Sequence, residues 1–190
     1  MLNYQEFVSM NKSMLIAPAG YGKTHTIAEC LKNIRNKEKQ LILTHTHAGV
    51  ASIKEKIKKE GIPNSSFEVE TITSFAQRYV LAFYTGNDLP KQEDSKLYYP
   101  FVIEKANTLF KLKPIREILF NTYKGLFVDE YQDCNVSQHN FIRFYHEFNG
   151  IVIFKQKDVY GEFFHNPAQF RGWMGSPIYP NRPWKGGDLY

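Results

Sequence analysis

The stretch "MLIAPAGYGKTHT", Met14 to Thr26, decides the fold. An apolar run, Met14–Ala17, is followed at once by a loop with two glycines, then by a lysine and a threonine. A glycine-bearing loop between a strand and a helix points backbone N–H groups inward. The helix N-terminus adds its partial positive charge, so anions bind there. Gly20 and Gly22 allow the tight turn. Lys23 has the reach for the β- and γ-phosphates of a nucleotide, and the Thr24 hydroxyl suits Mg²⁺. The general pattern is G-x-x-x-x-G-K-[ST]; Ala17 stands at its first position, which gives A-x-x-G-x-G-K-T. Pro18, Ala19, Gly20, Tyr21, Gly22, Lys23, Thr24 and His25 are the expected nucleotide contacts. The bland alternative is a flexible turn with an incidental lysine; the strand before and the helix after weigh against it.

The second half of such a site is "LFVDEYQD", Leu126–Asp133. A buried strand ends in two carboxylates, about 105 residues beyond the loop, where a phosphate-loop sheet places its metal-holding acid. Asp129 is the expected Mg²⁺ ligand, directly or through water. Glu130 is the expected general base that orients and deprotonates the attacking water.

Outward from these two stretches, short apolar runs alternate with helical ones, the mark of a parallel α/β sheet. Strands are expected at Met14–Ala17, Gln40–Thr44, Phe67–Thr71, Gly125–Asp129 and Ile151–Phe154. Helices are expected at Lys23–Arg35, Ala48–Glu60, about Ser74–Tyr84, about 101–111, about 114–122 and Val136–Asn149. In the second of these helices Val50, Ile53 and Ile57 share one face. The last carries Phe141, Phe144, Tyr145 and Phe148 as a core stripe. Residues 85–100, with "TGND" and two prolines, read as a surface excursion. After Lys155 the texture changes to five glycines, four prolines and both tryptophans, with no long periodic run.

The composition fits an ordinary globular domain: 190 residues, 43% hydrophobic and 23% charged. Residues 1–60 hold ten Lys/Arg against five Asp/Glu, and the rest of the chain balances fourteen against fourteen. The net charge of +5 therefore sits in the first third, as a solvated helix face or as a surface for nucleic acid. No apolar run reaches the ~18 residues of a membrane span, so no membrane partner is expected. Cys30 and Cys134 make no disulfide framework, which points to a reducing cytoplasm. His45 and His47 form an H-x-H pair without a further metal-like cluster.

Several motifs together carry a family resemblance. "DEYQD", Asp129–Asp133, resembles motif II of the UvrD/Rep-type superfamily 1 helicases, which also use A-x-x-G-x-G-K-T. "LILTHTHAGVASIKEKI", Leu41–Ile57, is similar to their motif Ia, and "TITSFAQRYV", Thr71–Val80, to motif Ib. "LNYQ", Leu2–Gln5, resembles the adenine-reading Q motif. These occur in the family's order over residues 2–150. The resemblance implies a three-layer RecA-like P-loop NTPase domain with a central, mostly parallel sheet, covering residues 1–154 with a small helical insertion at about 85–122. It implies ATP and Mg²⁺ as ligands and single-stranded DNA as track. Gln5 would contact adenine, and Gln132 would lie near the γ-phosphate or the attacking water. Thr46, His47, Ser74 and Phe75 would face the DNA; for Phe75, core packing is the competing reading.

The sequence departs from the family in places. His47-Ala48 replaces the usual Asn-Lys of motif Ia. "KQKDVYG", Lys155–Gly161, keeps little of motif III, which couples the γ-phosphate to DNA. "YPNRPW", Tyr179–Trp184, resembles the aromatic-arginine motif that opens a second motor domain, which makes Arg182 a γ-phosphate sensor. Residues 155–190 are read as an irregular tail or the start of that second domain, which a partner chain would otherwise supply. The expected activity is ATP hydrolysis by a motor half that is weak or inactive alone. Two alternatives stand beside it. A binding module that has lost coupling would show no strand-stimulated ATPase. Another kind of P-loop NTPase would ignore nucleic acid.

Overall fold

The computed structural model describes residues 3–10, 12–17, 20–34, 38–143 and 151–156. The expectations for Pro18, Ala19 and Arg182, for Phe144, Tyr145 and Phe148, and for residues 157–190 lie outside the described residues. Five strands form one sheet: β1 (Lys12–Ala17), β2 (Gln40–Thr44), β3 (Phe67–Thr71), β4 (Gly125–Val128) and β5 (Ile151–Gln156). Every pairing is parallel, in the order β1-β5-β4-β2-β3. Among the described residues seven helices accompany it: α1 (Tyr4–Ser9), α2 (Lys23–Asn33), α3 (His47–Lys59), α4 (Ile72–Phe83), α5 (Ser95–Leu109), α6 (Lys113–Thr122) and α7 (Val136–Arg143).

Strand alternation sorts the side chains into two cores. Leu15, Ile42, Val69 and Phe127 face one way, onto Phe7 of α1, Ile27 and Leu31 of α2, and Ile53 and Ile57 of α3. Met14, Ile16, Leu41, Leu43, Leu126 and Val128 face the other way, onto α4, α5, α6 and α7. With helices on both faces, the inner strands β2 and β4 are buried at every position. The result is the three-layer α/β architecture that the resemblance implies, with the fifteen buried anchors named above filling the space between the sheet and its two helical layers.

Three local elements differ from the sequence reading. Tyr4–Ser9 is a short helix, capped where Asn3 Oδ1 accepts the Glu6 N–H at 3.3 Å. The excursion at 85–100 ends early, because α5 begins at Ser95, with Asp94 Oδ1 accepting the Leu97 N–H. Pro100 lies inside α5 on its exposed side, as does Lys96, the residue whose carbonyl the missing Pro100 N–H would have bonded.

The third difference is Phe75. It is 0% exposed and sits at the centre of the α4–α7 layer, its ring 6.0–6.2 Å from those of Phe110, Tyr123 and Phe141. This corrects its placement on a DNA-facing surface. Burying such a side chain is worth about 1.5–3 kcal/mol, and each aromatic pair adds about 0.5–1.5 kcal/mol. One base stacked on it would return only about 1–3 kcal/mol.

β3 is an edge strand, and its outward side chains build a polar network in place of a core. The Arg78 guanidinium donates to Glu70 Oε1 at 2.6 Å and to Glu68 Oε1 at 2.9 Å, and lies over the Phe75 and Tyr79 rings. The Tyr123 hydroxyl and Lys39 Nζ donate to Glu68 Oε2 at 2.8 and 2.5 Å. Burial and the neighbouring Glu68 carboxylate push Glu70 up to about 7 against the pull of Arg78. Glu68 is held well below the usual range: burial would raise it, but hydrogen bonds from Glu70, Lys39 and Tyr123 outweigh that.

A carboxyl whose folded pKa is raised stabilises the fold below its unfolded value. That stability is lost as pH rises through the folded value, here between about 4.5 and 7. Glu70→Gln, which mimics the protonated form, is expected to leave the thermal midpoint at pH 5 unchanged. At pH 8 it should raise stability by about 1 kcal/mol, or about 2–4 °C. Midpoints measured at both pH values check this; a variant less stable than the parent at pH 8 contradicts it.

Candidate functional site

All five strands run parallel, so their carboxyl ends share one edge of the sheet, where ligands bind in open α/β folds. β1 delivers its loop there. Gly20 and Gly22 have φ of +75° and +76°, the left-handed region that favours glycine. Gly22 is the N-cap of α2 and offers no side-chain cap, so no side chain at the cap takes the first N–H groups of the helix. That is the geometry of an anion cradle.

Lys23 opens α2 and is 7% exposed. Its Nζ lies 3.7 Å from Glu130 Oε1. Thr24 follows, half-buried. Thr26, one turn beyond Gly22, returns its hydroxyl to the Gly22 carbonyl at 3.1 Å and fixes the start of the helix.

β4 delivers the carboxylates. The Asp129 N–H donates to the Leu43 carbonyl at 2.8 Å, so the β2–β4 ladder continues one residue past the strand. The Asp129 side chain is buried, and its Oδ1 has no hydrogen-bond partner among the described residues. A buried polar atom without a partner is costly, and this one faces the cradle's charges. Burial, then Glu130, pushes Asp129 up to about 6, while Lys23 pulls it down. Without a cation, stability therefore falls as pH rises from about 4 to 6, as the folded chain gives up a proton that the unfolded chain has already lost. A divalent cation on Oδ1 removes that penalty, and the residues present fit one.

Glu130 has φ 52° and ψ 43°, the one positive φ at a non-glycine among the described residues. A left-handed residue with a Cβ costs about 1–2 kcal/mol. Such strain persists where the surroundings over-determine it. Here the 3-10 turn Tyr131–Asp133 follows at once. The reversal keeps the carboxylate at the cradle: Oε1 faces Lys23, and Gln132 Nε2 donates to Oε2 at 2.5 Å. The turn itself is anchored by Tyr131, buried, whose hydroxyl is hydrogen-bonded to His139 Nδ1 on α7.

The structure thus brings Lys23, Asp129, Glu130 and Gln132 to one place. Tyr21 lies exposed on the loop. Gln5 is exposed on α1, which packs against α2. His25 turns toward the end of α3, its Nδ1 3.9 Å from Glu60 Oε1. His25, Glu29 and Glu60 form a cluster with metal-ligand spacing. Its carboxylates are already paired, however, with Lys32 at 2.8 and 2.5 Å and Lys56 at 3.0 Å.

Thr46 and His47 are exposed at the carboxyl end of β2, on the same sheet edge as the carboxylates. Thr46 Oγ1 caps α3 by accepting the Gly49 N–H at 3.0 Å. Ser74 is half-buried in the cap of α4, its N–H and Oγ both bonded to Thr71 Oγ1. It also borders an open groove with Gln77, Arg78, Leu81 and Ala82. Two contacts escaped the sequence reading: Tyr131 with His139, and Cys134 Sγ with His45 Nε2 at 3.3 Å. The second joins residues 89 apart, and no local pattern announces it.

Comparison with known proteins agrees with the fold. A family model described as an AAA domain matches residues 4–155. The chain is 42% identical over 59 residues to the replicase polyprotein 1a of Lettuce infectious yellows virus (isolate United States/92). That match covers 30% of this chain and 3% of the polyprotein. Among the described residues no helix is long and apolar enough to cross a membrane.

Proposed function

The chain belongs to the AAA domain family, and from that premise we propose that it is a UvrD-like motor domain that binds and hydrolyses ATP and holds a single nucleic-acid strand. The observation that carries the reading is the carboxylate pair opposite the cradle. Asp129 Oδ1 is buried without a partner, and Glu130 is held in a strained turn against Lys23. A structural ion pair has no need of that strain.

Thr24 and Asp129 would hold Mg²⁺, which neutralises charge on the β- and γ-phosphate oxygens. Lys23 is the side chain that changes partner. It neutralises Glu130 in the structure described, and in the complex its ammonium turns to the phosphates. Glu130 is then free to accept the water's proton at Oε1, while the Gln132 amide fixes Oε2 and so the direction of the free oxygen. Gln5 contacts the adenine. The arginine finger that would speed the step by roughly 10³–10⁵ would come from a second motor surface.

Thr46, His47 and Ser74 form the strand-binding face, served by the positive charge of residues 1–60. The matched relative is a replicase polyprotein by name, so RNA is tested alongside DNA. About three phosphates can be contacted by one such face. At roughly −0.7 per phosphate, the slope of log affinity against log salt should be about −2. Binding should be weak and nearly indifferent to base sequence. Fluorescence anisotropy of a short labelled strand across a salt series measures the slope, and phosphate release with and without the strand measures its effect on hydrolysis. No strand binding at low salt would leave a nucleotide-binding domain alone, and hydrolysis that ignores the strand would favour an uncoupled module.

A further inference from the structure

The segment after Asp129 is tied to the segment after β2 at two points. At the near end the Asp129 N–H donates to the Leu43 carbonyl at 2.8 Å. At the far end Cys134 Sγ meets His45 Nε2 at 3.3 Å, within reach for a sulfur hydrogen bond. His45 stands between Thr44, the last residue of β2, and Thr46, the cap of α3. Residues 129–134 and 43–46 therefore close a ring, part backbone and part side chain. Glu130 is part of that ring, and the exposed start of α3 follows directly from it.

Both members of the far contact are neutral. Burial raises the Cys134 thiol and lowers His45 below its ordinary value, even with Asp133 and Glu130 nearby. One hydrogen then joins the pair, the thiol S–H donating to Nε2 or the ring Nε2–H donating to the sulfur according to the tautomer. Among the described residues neither is hydrogen-bonded or ion-paired to Lys23, whose partner is Glu130.

We infer that the Cys134–His45 contact is a positioning link that couples nucleotide occupancy at Glu130 to strand binding at Thr46 and His47. The inference rests on the function proposed above. The turn it tethers has a reason to move: Glu130 is strained, and its partner Lys23 is the side chain that phosphate recruits. Tyr131 is anchored to α7 inside the turn, so Cys134 is the end through which a displacement of the turn reaches β2. A shift at His45 moves Thr46, whose hydroxyl caps α3. Coupling of this kind is reciprocal, so the strand must change nucleotide affinity by the same factor that nucleotide changes strand affinity.

The test uses the whole 190-residue chain. Calorimetry with a non-hydrolysable ATP analogue and Mg²⁺ is run with and without a saturating oligothymidine 12-mer. The parent is expected to show a change in nucleotide affinity of about fivefold or more with the strand present. Cys134→Ala, and independently His45→Phe, should bring that factor to within about twofold of one, with nucleotide affinity in the absence of strand and the thermal midpoint unchanged. Cys134→Ser keeps an O–H donor for Nε2 and should restore most of the coupling, which mere loss of packing would not allow. The double variant should lose no more than either single one, the signature of a shared contact. A parent factor of one, or single variants that keep the parent's factor, overturns the link and leaves nucleotide and strand binding standing. A parent that binds the nucleotide analogue but not the oligonucleotide overturns the strand-binding reading, and the link with it.

Discussion

Glu130→Gln is expected to lower the basal rate of ATP hydrolysis by about 10²–10⁴, the usual contribution of a positioned general base, and to leave ATP binding intact. The amide keeps the volume of the side chain and an oxygen for the Gln132 donor, which stands 2.5 Å away in the parent. What it lacks is a site for the water's proton. It also removes the charge that engages Lys23 at 3.7 Å, so affinity for the triphosphate should hold or rise. Asp129→Asn separates the roles. It should weaken binding only where Mg²⁺ is required, because the orphaned Oδ1 is the atom offered to the ion. Single-turnover phosphate release, with calorimetry at fixed and at zero Mg²⁺, reads both effects. If the two variants hydrolyse ATP at the parent rate, the carboxylate pair is structural.

The second large effect concerns Lys23. Its ammonium is buried at the start of α2 with Glu130 as its counter-charge. Lys23→Ala deletes the group that would meet the β- and γ-phosphates. It also leaves two neighbouring carboxylates facing the triphosphate without a cation between them. ATP affinity should fall at least tenfold, about 1.4 kcal/mol or more. Because Lys23 holds Asp129 down, its loss lifts that carboxyl further, and the deficit should widen as pH drops toward 6. Nucleotide affinity equal to the parent's, measured by calorimetry at pH 7.5, would sink the assignment of the cradle.

The strands were the most legible part of the chain. Phe67–Thr71 alternates buried and half-buried, as "FEVET" announces, and Gln40–Thr44 is buried at every position, as "QLILT" announces. The start of α5 was not legible, since a proline normally argues against a helix running through it; Pro100 is tolerated because it lies on the exposed side. Phe75 illustrates a different failure. Ile72, Phe75, Ala76, Tyr79 and Val80 follow helical spacing and are all buried, so the helical period carries a core signal that outweighs the motif resemblance at Phe75.

At the candidate site, Lys23, Asp129 and Glu130 stand out in the sequence because their types and spacing match the chemistry proposed for them. The arrangement that makes them a unit was not legible. The left-handed turn at Glu130 falls on a residue type that gives no warning of it. The Cys134–His45 contact depends on how two distant segments pack.

The strand order also sets a gauge for the chemistry. Because β5 lies between β1 and β4, the loop and the carboxylates start two strand spacings apart, about 9.5 Å at ~4.8 Å per spacing. The long side chain of Lys23 and that of Glu130 together bridge that width and meet. Were β1 and β4 adjacent, the interval would halve, and a phosphoryl group with its attacking water could not fit between ammonium and carboxylate. With two intervening strands, the same two side chains would fall short of each other. For the hydrolysis proposed above, a single inserted strand would match the aperture to the size of a phosphoryl group, a tolerance set by backbone spacing before any side chain in the site is chosen.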